Sequence, residues 1–85
     1  MDKGNIVVLF NESGDIYGAE AAIGRAAEAA GFDLYAPEGP YWQVTGVRGA
    51  VRGAFIIIET WVNPGRSSAL IAEVLKLDGW APFEE

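Results

Sequence analysis

The sequence predicts an α+β fold. Two apolar runs rich in β-branched residues, IVVLF at 6–10 and FIIIETWV at 55–62, read as strands. Two stretches of helical composition alternate with them, and Gly and Pro mark the joints. With 85 residues, 51% of them hydrophobic, the chain is expected to form one compact domain, 1–85, around one core.

The elements follow in order. Residues 6–10 are apolar on both faces of a strand, the pattern of a central position in a sheet. NESGD at 11–15 opens a loop. Residues 19–30, AEAAIGRAAEAA, favour helix through alanine, with Ala19, Ala22, Ile23, Ala26 and Ala30 on one side. A stripe of alanine allows close approach to a sheet, and Gly31 is placed to end the helix in the left-handed region. FDLYA at 32–36 alternates, with Phe32, Leu34 and Ala36 on one face, which predicts a half-buried strand. PEGP at 37–40 is a turn, and YWQVT at 41–45 extends again with Trp42 and Val44 on one face. The glycine-spaced segment 46–53 repeats VRGA and predicts a hairpin or a bulged strand.

Residues 55–62 are the strongest strand. Asn63 and Pro64 are a helix start, Asn as cap and Pro in the first turn. The helix over 66–77 carries Leu70, Ile71, Val74, Leu75 and Leu77 on its apolar face. Residues 80–85 either add an edge strand beside 6–10 or form a free aromatic and acidic tail.

The order β-α-β-β-α, with an optional last β, is that of a ferredoxin-like sandwich, with an antiparallel or mixed sheet and two helices on one face. Strands one and three are then central, and they are the two most apolar segments. Helices cover only one face, yet both strands are apolar on each side. The second face therefore needs a cover: the 37–53 segment, a second copy of the chain in a homodimer, or another protein.

Composition narrows the chemistry. The absence of Cys excludes disulfides, thiolate nucleophiles and thiolate metal sites. The absence of His excludes an imidazole base or ligand. No cofactor and no metal site is expected, since no Asp-rich loop has EF-hand spacing. Twelve acids against six bases give a net charge of −6, which opposes direct binding to nucleic acid or acidic lipid and favours a basic partner. No apolar run approaches the ~20 residues of a bilayer span, and MDKGNIVVLFNESGD does not read as a signal peptide. A cytoplasmic location is expected.

Candidate functional residues fall into three groups. The loop 11–18 occupies the place of a phosphate loop between strand and helix, but its Glu12 and Asp15 would repel phosphate and no Lys is present. Glu59 shares strand parity with Phe55, Ile57 and Trp61. It is the weak catalytic candidate, as a proton acceptor among apolar groups; its plain role is to pair with Arg48 or Arg52. A pocket between sheet and helices would add Tyr17, Trp42 and Trp61 to it. Partner-binding candidates are the aromatics Tyr41, Trp42, Trp80 and Phe83 and the acids Glu12, Asp15, Glu84 and Glu85, because Trp and Tyr dominate interface hot spots and acids match basic grooves.

GPYWQV at 39–44 and LDGWAPF at 77–83 resemble, over these two short patches, the small coupling proteins of diiron multicomponent monooxygenases. That resemblance implies a cofactor-free protein that binds a hydroxylase and gates its reaction. Size and acidity also match phage-type anti-defence inhibitors that imitate phosphate. The expected function is thus a small, acidic, non-catalytic regulator, an inhibitor or effector that docks through a basic or apolar surface of a larger protein or enzyme complex. On this reading Trp42→Ala, or charge reversal at Glu84 and Glu85, weakens partner binding and spares the fold. The alternative is a homo-oligomeric ferredoxin-like domain that binds or converts a small molecule in a sheet/helix pocket. A purely structural assembly subunit is a third option.

Overall fold

The computed structural model describes residues 5–84. Six elements follow one another: β1 (Ile6–Asn11), α1 (Ile16–Ala30), β2 (Trp42–Arg48), β3 (Val51–Glu59), α2 (Pro64–Leu75) and β4 (Ala81–Pro82). The strands form one sheet in the order β2-β3-β1-β4, and every neighbouring pair is antiparallel. The fold is α+β, and the two most apolar strands, β1 and β3, take the centre.

Ile56 pairs with Leu9 and Ile58 with Val7, so their side chains share the face that receives both helices. Leu9, Ala54, Ile56 and Ile58 are buried there against Ala19, Ala22, Ile23, Ala26 and Ala27 of α1 and Leu70 and Val74 of α2. The buried stripe of α1 is mostly alanine, as expected, but it includes Ala27 in place of the expected Ala30, which is only half-buried. The helix starts three residues before the expected 19, because Asp15 caps it by accepting from Gly18 N at 2.9 Å. Gly31 closes it at φ +86°, and Asn63 caps α2 by accepting from Arg66 N.

The predicted strand over 32–36 is absent. Asp33 takes these residues into a turn: its carboxylate accepts from Tyr35 N at 3.0 Å and its carbonyl from Ala36 N at 3.1 Å. A second turn follows, with Gly39 N donating to Ala36 O. Phe32 and Leu34 alternate inward, but from a loop. The second strand is instead 42–48. It joins β3 through a turn at Gly49 and Ala50, with a register shift between Thr45 and Val47.

The second face is not covered by residues 37–53, since 42–48 lie in the plane of the sheet. Phe83 packs over part of it, beside Phe10 of the face itself. The Phe10 and Phe83 rings stand 4.7 and 5.1 Å from the buried Phe55, with Val8 and Ile57 beside it. Gly53 makes room for this cluster: at φ +155°, a Cβ there would meet Phe10 Cε1 at 2.6 Å. The tail pairs with β1, Phe83 N donating to Val8 O at 2.9 Å. Among the described residues no helix is long and apolar enough to cross a membrane.

Candidate functional site

The register of β1 and β3 divides the candidate residues between two ends. Ile6 faces Glu59 and Asn11 faces Ala54. Five strand steps separate these ends, roughly 17 Å at ~3.4 Å per residue. Glu12, Asp15 and Tyr17 lie at the end where β1 finishes and α1 begins. Tyr41, Trp42, Glu59 and Trp61 lie at the end where β1 begins. Tyr17 therefore cannot share a pocket with Trp42, Glu59 and Trp61. Among the described residues, the space between sheet and helices is filled by the alanine, isoleucine and leucine side chains of the core.

The end that carries Tyr41 is the better built. The loop 32–41 is fastened along its length. Trp42 Nε1 donates to Leu34 O at 3.2 Å, and Glu59 N donates to Tyr41 O at 2.9 Å. From the start of α2, Asn63 Nδ2 donates to Glu38 O and an Arg66 guanidinium nitrogen donates to Gly39 O. That guanidinium lies 3.7 Å from a Glu38 carboxylate oxygen and 5.1 Å above the Phe32 ring. Ser67, buried at the start of α2, donates its one hydroxyl proton among the carbonyls of Glu59, Val62 and Asn63, which fixes the 60–63 loop. Gly39 sits at φ +85° with Val62 Cγ1 where a Cβ would be, at 2.7 Å, so the two loops touch there.

On this scaffold lies an open groove of about 620 Å³ lined by Leu34, Tyr35, Pro37, Pro40, Tyr41 and Trp42. Tyr35 is 78% exposed and Tyr41 49%. Trp42 is half-buried and meets Tyr35 edge to face at 5.8 Å. Trp61, 61% exposed, stands on the adjoining loop without lining the groove. Tyr35 is one of the turn-flanking aromatics that sequence alone does not single out from the others as a site. The density of breakers after it, Pro37, Gly39 and Pro40, was the available signal for a loop that presents it outward.

Glu59 lines a smaller cavity of about 270 Å³ with Ile6, Trp42, Gln43, Arg48 and Ile57. Arg48 lines this cavity too, whereas Arg52 does not. Among the described residues no group of His, Cys, Asp or Glu is arranged to hold a metal ion.

Of the remaining candidates, Trp80, Phe83 and Asp15 have structural tasks. Trp80 is half-buried against the helix-side core, and Phe83 packs on Phe10 and Phe55. The tail is thus a paired edge and not a free docking peptide. Asp15 is the α1 cap, Glu12 and Glu84 are exposed, and Glu85 lies outside the described residues.

Compared with known proteins, the chain matches no family model, no curated protein and no solved structure.

Proposed function

We propose that this chain is a small, acidic, non-catalytic regulatory protein that docks on a larger protein through the Tyr35–Tyr41 end and modulates it as an inhibitor or effector. The element order and sheet order support reading its fold as ferredoxin-like, with the docking loop between α1 and β2. One observation carries the reading: large aromatic side chains stand exposed on a loop that many internal hydrogen bonds hold still. Burying exposed Tyr and Trp on a partner is favourable at about 25 cal/mol per Å² of apolar area. A fixed loop loses little entropy on binding, so more of that gain appears as affinity. The net charge of −6 supports a basic rim on the partner. The coupling-protein and anti-defence readings are two forms of this proposal, and a cytoplasmic setting suits the cysteine-free chain.

The test is quantitative capture of interacting proteins by the tagged wild-type chain and by a Tyr35→Ala/Tyr41→Ala double variant. A partner retained by the first and lost by the second is expected. Capture undiminished in a correctly folded double variant refutes the assignment.

A second reading, a homo-oligomeric domain acting on a small molecule, has the cavity beside Glu59 and Arg48 in its favour. Glu59→Gln separates the two: it leaves partner capture intact under the docking reading, and removes ligand binding or turnover under the other.

A further inference from the structure

We infer that the Tyr35–Trp42 groove takes a proline-rich, basic segment of the partner in polyproline II conformation, an inference that rests on the docking reading above.

The loop that lines the groove leaves little backbone free for strand addition. Strand addition requires a row of unpaired backbone N–H and C=O groups. Here the N–H groups of Tyr35, Ala36 and Gly39 are consumed by turns, and the Leu34 and Gly39 carbonyls accept from Trp42 and Arg66. Recognition must therefore come from side chains. Those available are ring faces and two phenol hydroxyls, and among the described residues the Tyr35 and Tyr41 hydroxyls make no hydrogen bond.

A polyproline II segment is the complement of such a surface. It has no internal hydrogen bonds, so its carbonyls project outward and need donors. Its pyrrolidine rings pack flat on aromatic rings, and its stiffness suits a groove that is already formed. The lining Pro37 and Pro40 and the half-buried Trp42 complete an apolar floor between the two tyrosines.

Charge selects the flanks of the ligand. Residues 31–47 contain Asp33 and Glu38 and no Lys or Arg. Arg66, the cation beneath the loop, is engaged by Glu38 and Phe32, and among the described residues no cation pairs with the Asp33 carboxylate. An arginine at the end of the proline run meets that charge.

The experiment titrates the isotope-labelled protein with an oligoproline peptide flanked by arginines and follows backbone amide shifts. Controls are the same oligoproline flanked by glutamates and an alanine–serine peptide with the same arginines. Shifts confined to residues 33–42, weakened about tenfold by glutamate flanks and absent with the alanine–serine peptide, support the inference. Tyr35→Phe/Tyr41→Phe, which keeps the rings and removes the donors, then weakens binding several-fold, and the double alanine variant abolishes it. No shifts with the arginine-flanked oligoproline overturn the inference, as do equal shifts with the alanine–serine peptide or shifts centred elsewhere. Capture of a partner that is still lost in the double alanine variant, alongside a silent titration, removes the proline class and leaves the docking reading standing.

Discussion

Trp42 and Tyr35 are in contact, yet they carry different tasks. Trp42 joins the helix-side core and spends its N–H on Leu34 O, whereas Tyr35 is 78% exposed. Trp42→Ala, which on the sequence reading spares the fold, is therefore expected to destabilise it. It is expected to cost about 2–3 kcal/mol, from lost apolar burial and a freed carbonyl. Tyr35→Ala is expected to stay within ~0.5 kcal/mol of wild type. Urea denaturation of the two variants checks the contrast. Gly39 is the second decisive residue. Alanine there needs a positive φ and displaces Val62 Cγ1, so Gly39→Ala is expected to cost ~1–3 kcal/mol and lower Tm by several degrees. An unchanged Tm would mean that the two loops do not press together at this point.

At the scale of elements, β4 is only two residues long, but it delivers Phe83 to the helix-free face. Phe83→Ala removes edge-to-face packing on both Phe10 and Phe55 and opens the Phe55 ring to water. A loss of about 1–2 kcal/mol is expected for this half-buried ring, with increased binding of a hydrophobic dye. Unaltered stability and dye binding would show that the tail does not cover that face. The elements themselves were largely legible. Both central strands, the alanine helix, the Asn63–Pro64 start of α2 and the hairpin near the VRGA repeat follow from local composition. The 32–36 loop was not legible, because Phe32 and Leu34 alternate inward in a loop as they would in a strand. What separates the cases is the Asp33 carboxylate, which claims a backbone N–H that a ladder would use. The packing of Phe83 on part of the second face was not legible for a related reason: its partners Phe10 and Phe55 are remote in sequence.

At the scale of the whole molecule, the candidate residues sort by the end of the sheet on which they stand. Residue type alone grouped Tyr17 with Trp61; strand register sets them apart. Sequence reasoning could supply Tyr41 and Trp42 as interface types, but not the fastening that makes their loop a platform. That fastening comes from Asn63 and Arg66, more than twenty residues away. The most direct test of docking at this end uses the two tyrosines as matched probes. Tyr17 and Tyr35 are 77% and 78% exposed and stand at opposite ends of the fold. A photoreactive phenylalanine analogue is placed at each position in turn, and crosslinking is carried out in the producing cells. A discrete crosslinked partner is expected from position 35 and none from position 17. Equal crosslinking from both, or a partner trapped from position 17 alone, would contradict it.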